Sequence, residues 1–214
     1  MKVENRNEKL VKIPINSFKL EGILNLPERA KGIVIFAHGS GSSRFSLRNS
    51  FVARVLQNAN FGTLLFDLLT REEDRIYENR FDINLLTQRL MIATKWVKNY
   101  PETKDMKIGY FGASTGAAAA LQADAEMCSA SAIVSRGGRP DLAENYLSKV
   151  KAPTLLIVGE YDDIVLELNR RAYNKILTEK KLVIIPKATH LFEEPGALEE
   201  VARLAREWFS NYLG

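Results

Sequence analysis

The stretch KIGYFGASTGAAAALQADAE, residues 107–126, decides how the rest of the chain is read. KIGYF has the composition of a strand, and AAAALQADAE is a strong helix former. Between them, Gly112-Ala113-Ser114-Thr115-Gly116 fits the pattern G-x-S-x-G. In that pattern a serine occupies a tight strand-to-helix turn with strained backbone angles. Glycines flank it because side chains there would strike the adjoining strand and helix. The turn exposes the serine hydroxyl and places the next backbone N–H at a helix N-terminus, aimed at developing negative charge. Three fixed residues recur by chance in about one chain in fifteen of this length. The strand, turn and helix around the pattern are therefore what make Ser114 a candidate nucleophile.

Working outward, short apolar runs alternate with helical patterns from residue 32 onward: GIVIFAH (32–38), GTLLFDLL (62–69), KIGYFGAS (107–114), SAIVSR (131–136), TLLIVGE (154–160) and KLVIIP (181–186). Most are continuously apolar, as strands are when helices cover both faces of a parallel sheet. Leu85, Leu86, Leu90, Ile92 and Trp96 recur at helical spacing, as do Leu198, Val201, Leu204, Ala205 and Phe209. Upstream, KLVKIPI (9–15) and FKLEGILNLP (18–27) read as an antiparallel hairpin on the sheet edge. The expected fold is α/β: eight strands, two antiparallel and then six parallel, with helices on both faces. Leu65, Phe66, Phe111, Leu155 and Ile157 are expected in the sheet core, and Trp96 and Trp208 in helix packing. No internal repeat, low-complexity segment or Gly/Ser/Pro-rich linker divides residues 1–214, which read as one domain.

Composition narrows the classes further. Hydrophobic residues are 46% and charged residues 26% of 214, values that exclude disordered and collagen-like chains. The net charge of +4 comes from bases interleaved with acids, as in REEDR (71–75), rather than from a basic face or tail. Nucleic acid is therefore not an expected partner. A lone cysteine, Cys128, supports neither an intramolecular disulfide nor a multi-thiolate metal site, and is expected to be a small buried hydrophobe. No apolar run reaches the roughly 18–20 residues that span a bilayer, and MKVENRNEKL lacks a secretory apolar stretch. A cytoplasmic location with no membrane association is the expectation.

Ligands of an α/β sheet bind outside the carboxyl ends of its strands, so the residues just after each strand carry the chemistry. A serine nucleophile needs a base, and the chain holds only His38 and His190. His190 follows the last strand, where a loop can bring its imidazole over Ser114. His38 opens His38-Gly39-Ser40-Gly41, a glycine-shaped loop suited to an oxyanion site that the ring would brace. The base in turn needs a carboxylate to fix its tautomer. Asp162 is preferred over Asp163 and Glu160, since Gly159 lets the chain turn just before it. The chain order Ser114, Asp162, His190 belongs to one fold family.

With HGSGSSR (38–44), DLLT (67–70), GASTG (112–116), SRGGRPDL (135–142), GEYDDIV (159–165) and THLFEEPGALEEVA (189–202), the chain resembles α/β-hydrolases of the dienelactone-hydrolase-like group over essentially its whole length. The resemblance implies Ser114, Asp162 and His190 as catalytic triad, with the Ser40 and Thr115 N–H groups as oxyanion hole and no cofactor or metal. The dienelactone hydrolases proper use cysteine where this chain has Ser114, which separates it from dienelactone itself while leaving ester or lactone hydrolysis. Only 17 residues, 137–153, separate the fourth and fifth parallel strands, so no cap domain is expected there. The expected activity is hydrolysis of a small carboxylic ester, lactone or thioester through an acyl-enzyme. The alternatives are an acyltransferase using the same triad and a non-catalytic binding module. His38, Arg44, Arg136 and Arg139 are candidate substrate contacts, the arginines for a carboxylate or phosphate. Salt bridges from the arginines to Asp67, Glu72 or Asp141 are the competing reading.

Overall fold

A computed structural model of the chain describes residues 8–16 and 18–214. The N-terminal hairpin is formed by β1 (Glu8–Ile15) and β2 (Phe18–Asn25), paired antiparallel from Glu8↔Asn25 to Ile15↔Phe18. The turn between them starts at Asn16 with a φ of 44°, and residue 17 lies outside the described residues. The remaining strands are β3 (Ile33–Ala37), β4 (Gly62–Phe66), β5 (Ile108–Ala113), β6 (Ala132–Arg136), β7 (Thr154–Gly159) and β8 (Lys180–Ile185). They form one sheet in the order β1-β2-β4-β3-β5-β6-β7-β8. β2 joins β4 antiparallel, and every pairing from β4 across to β8 is parallel. This is the eight-stranded α/β-hydrolase arrangement that the sequence implies.

Helices α1 (Leu47–Asn58), α2 (Arg71–Asp74), α3 (Ile83–Asn99), α4 (Thr115–Met127), α5 (Asp163–Lys175) and α6 (Ala197–Leu213) surround the sheet. Leu86, Leu90, Ala93 and Val97 of α3 pack with Ala118 to Leu121 of α4 on one face. Val52 and Leu56 of α1 pack with Val201, Ala205 and Phe209 of α6 on the other. Every residue of β3 to β7 is buried between these layers, which is why those runs read as continuously apolar. The alanine-rich α4 is buried over ten consecutive residues, from Thr115 to Asp124. Small side chains let it lie close against the centre of the sheet, directly behind the elbow.

Two expectations need correction. The run 181–186 does not lie between two covered faces: β8 is the edge strand, Ile184 is exposed, and Lys180 and Lys181 mark the edge. Cys128 is exposed rather than buried. It ends α4 in the left-handed region at φ 49°, where the chain leaves the helix at the surface. Residues 71–81 form α2 followed by a 3-10 turn, Tyr77–Phe81. Thr70 starts α2 with a capping box: its Oγ1 accepts from the Glu73 N–H at 3.2 Å, and Glu73 Oε2 accepts from the Thr70 N–H at 2.9 Å. Between β6 and β7 the chain adds only a 3-10 segment, Pro140–Lys149, and no cap-sized insertion. No helix of the described residues is long and apolar enough to cross a membrane.

Candidate active site

Ser114 stands between the end of β5 and the start of α4 with φ 49° and ψ −120°, a strained conformation for a non-glycine residue. The fold over-determines it. The Ser114 N–H donates to the Arg136 carbonyl at 3.2 Å, and the Ser114 carbonyl accepts from Ala117 N–H and Arg139 N–H, both at 3.1 Å. Both flanking glycines are sterically required. A Cβ on Gly112 would lie 2.4 Å from Ala117 Cα, and one on Gly116 would lie 2.2 Å from the Ala37 carbonyl oxygen.

The loop after β3 comes down on this elbow, since a Cβ on Gly39 would sit 3.0 Å from Ser114 Cβ. Neither the Ser40 nor the Thr115 N–H makes a backbone hydrogen bond among the described residues. Thr115 is also the first residue of α4, where the helix dipole adds positive potential. Both N–H groups are thus left without a backbone acceptor in the segments that adjoin Ser114. His38 fixes this loop from beneath. Its Nε2 accepts from Leu68 N–H at 3.0 Å, so the ring proton is on Nδ1 and is donated to the Gly39 carbonyl at 2.9 Å. Burial holds its pKa below the usual histidine value, keeping the ring neutral. With both nitrogens engaged, His38 is a brace and has no polar atom left for substrate.

Asp162 and His190 are brought together where the loops after β7 and β8 press against each other. A Cβ on Gly159 would be 2.3 Å from the Ala188 carbonyl oxygen, and Tyr161 N–H donates to that same oxygen at 2.9 Å. Asp162 Oδ2 accepts from His190 Nδ1 at 2.6 Å. A carboxylate only accepts, so Nδ1 carries the proton and Nε2 is left as the acceptor a base needs. The competing acids are elsewhere: Glu160 accepts from Lys187 N–H, and Asp163 is an exposed residue opening α5. Ser114 and His190 line one cleft of about 260 Å³ with Gly39 and Ser40. Ser114 Oγ makes no hydrogen bond to the described residues; such contacts commonly tighten only once substrate is bound. A larger cavity of about 660 Å³ lies between β2 and α1, lined by Glu8, Ile23 and Arg54, and contains none of these groups.

The candidate arginines divide. Arg44 is paired with Asp67 and Glu21, and Arg139 holds Asp141 through two nitrogens at 2.9 and 2.7 Å, so both serve the loops that carry them. Arg136 lines the cleft and has no acidic partner among the described residues. Two cleft residues escape a reading confined to strand ends: Arg48 and Asn49, from the first turn of α1. Their only sequence signal is position, a few residues beyond the glycine-rich loop. Among the described residues, no group of three or more His, Cys, Asp or Glu is placed to hold a metal ion.

Comparison with known proteins agrees with this fold. Residues 20–212 match the model of the dienelactone hydrolase family. A crystal structure of a dienelactone hydrolase from Anabaena variabilis is 57% identical, with a TM-score of 0.94 over 97% of this chain and 98% of that one. Est1E from Butyrivibrio proteoclasticus shares the fold at 17% identity, with a TM-score of 0.81 over 94% of this chain and 98% of its own. Two Mycobacterium tuberculosis proteins, provisionally named phosphoribosyl transferases, are 55% identical over 204 residues, 95% of this chain. The chain spans 46% of their length, about half of each. The strained serine elbow, the order of the acid and histidine after it, and these matches together place the chain in the dienelactone hydrolase family.

Proposed function

We propose that the protein is a serine hydrolase that cleaves a small carboxylic ester, lactone or thioester through an acyl-enzyme on Ser114. The observation that carries this reading is the Asp162–His190 pair at 2.6 Å, which leaves Nε2 basic in the cleft that Ser114 lines. Ser114 Oγ attacks the acyl carbonyl while His190 Nε2 takes its proton. The tetrahedral oxyanion is held by the Ser40 and Thr115 N–H groups, donors of a kind worth about 3–4 kcal/mol each. The imidazolium, stabilised by Asp162, passes its proton to the leaving alcohol or thiol, and water then repeats the sequence on the acyl-enzyme. The His190 side chain is 39% exposed, so water can reach the base directly, as deacylation by hydrolysis requires. The phosphoribosyl transferase name belongs to proteins more than half of whose length has no counterpart here. The test is steady-state hydrolysis of 4-nitrophenyl esters of increasing acyl length. Turnover is expected for short acyl groups in the wild type and not in Ser114→Ala. Equal rates in the two proteins would refute the assignment.

A further inference from the structure

β8 is an open edge of the sheet, paired with β7 on one side only. The Glu179 carbonyl accepts from Thr154 N–H, and the Ile185 carbonyl accepts from Glu160 N–H, both at 2.9 Å. Backbone groups alternate in direction along a strand, so residues 179, 181, 183 and 185 face β7 while residues 180, 182 and 184 face outward. The outward N–H groups of Leu182 and Ile184 find no acceptor among the described residues. Such an edge is a template for another strand unless it is blunted. The opposite edge is blunted, since β1 carries Lys9, Lys12 and Pro14, and proline has no N–H to offer. β8 is guarded less well. Its run Leu182-Val183-Ile184-Ile185 holds no charge, and Ile184 is 37% exposed. Lys180 turns away from the edge: its Nζ donates to the Ile176 carbonyl and lies 4.7 Å from the centre of the Tyr173 ring.

We propose that β8 pairs antiparallel with β8 of a second copy of the chain, joining the two sheets across a two-fold axis. The inference is independent of the hydrolase reading. Outward residues must meet outward residues, so the axis passes beside Leu182, Val183 or Ile184. Centred on Leu182, the pairing sets the Glu179 carboxylate against Ile185. Centred on Ile184, it sets Lys181 against Lys187, a repulsive pair. Centred on Val183, it matches Leu182 with Ile184 on both sides of a Val183 pair, and brings Glu179 of each copy to Lys187 of the other. Leu182 and Ile184 then exchange both of their backbone bonds across the axis. Glu179 and Lys187 are exposed and flank the strand, so acid meets base at both ends while the centre stays apolar. That self-complementarity selects a second copy as the occupant, because a two-fold interface requires one surface to fit itself.

Sedimentation velocity on the full chain tests the pairing. Wild type is expected to sediment at twice the chain mass. Ile184→Pro removes an outward N–H that the single chain does not use, a change edge strands tolerate. It is expected to be monomeric with a wild-type circular dichroism spectrum. Glu179→Lys and Lys187→Glu each set like charges together at both ends, and each should raise the dissociation constant about tenfold. The double variant restores the attraction and should return to within about threefold of wild type. These surface changes keep the test decisive if Ile184→Pro does not fold. A wild type that is monomeric at its highest soluble concentration overturns the proposal. So does a folded Ile184→Pro that stays dimeric, or a dimer that withstands both single charge reversals. Weakening by the single reversals that the double variant does not repair overturns it as well.

Discussion

Replacing Arg136 by methionine is expected to make the protein more stable. The side chain is 7% exposed and meets no carboxylate among the described residues, while burial and the nearby Arg48 charge push its pKa down to about 10. The ordinary arginine value is above about 12, and each pH unit of difference corresponds to ~1.4 kcal/mol. The fold therefore disfavours the charged form by on the order of 3 kcal/mol. Because the folded pKa lies below the unfolded one, this penalty is fully present below about pH 10 and fades only as pH rises through and beyond that value, so an assay at pH 7 senses all of it. Methionine is unbranched, uncharged and able to keep a sulfur–aromatic contact with Phe192. What is lost is a cation–π contact near its outer range, worth roughly 0.5–1 kcal/mol. The net expectation is a gain of about 1–3 kcal/mol, or roughly 2–10 °C in Tm for a chain of this size. Urea unfolding at pH 7, followed by far-ultraviolet circular dichroism, would show a higher midpoint at unchanged slope. A loss of stability of about 1 kcal/mol or more would refute the reasoning. Arg136 would then be a structural residue with a partner.

Other perturbations have equally definite outcomes. Asp162→Asn is expected to lower kcat by about three to four orders of magnitude by stabilising the wrong His190 tautomer, with an unfolding midpoint close to wild type. Gly116→Ala places a methyl 2.2 Å from the Ala37 carbonyl oxygen, a contact that only backbone movement relieves. A destabilisation of roughly 3 kcal/mol or more and loss of activity should appear together in urea titrations and ester assays. Burial lowers the His38 pKa, opposed by the Gly39 hydrogen bond and by Asp67 and Asp74. Its contribution to stability is therefore complete above the ordinary value of 6.5 and is lost as pH falls from there through the folded value. The unfolding midpoint of the wild type should drop between pH 7.5 and 5 more steeply than that of His38→Gln.

Most of the architecture was legible because burial on both faces leaves a plain mark, a run of apolar residues too short for a helix and bounded by polar turns. Where that mark failed, geometry explains it. KLVIIP has the composition of a central strand, yet β8 is last in the sheet, and its position in the order cannot be read from its own residues. Cys128 fits the general habit of cysteine to be buried, but the left-handed exit of α4 brings it to the surface. Thr70 and Glu73, three residues apart, carry a capping-box signal for the start of α2 in the sequence itself. Ser114 and His190 share a cleft and Asp162 meets His190 because each follows a strand and the fold gathers such positions at one end. Whether an arginine in those loops is spent on a neighbouring carboxylate depends on tertiary distance. Arg44 finds Asp67 across 23 residues of chain, while Arg136 finds no carboxylate among the described residues. Arg48 and Asn49 were missed for a related reason: they reach the cleft from within a helix, and only the packing of α1 against the sheet turns that side of it toward the nucleophile.

The central claim is that Ser114 is a nucleophile activated by His190, and labelling with a fluorophosphonate followed by peptide mass spectrometry tests it most directly. One adduct per chain is expected, on the peptide containing Ser114, with none in Ser114→Ala and greatly slowed labelling in His190→Ala. Folded wild-type protein that takes up no label, or takes it up at another residue, would contradict the claim.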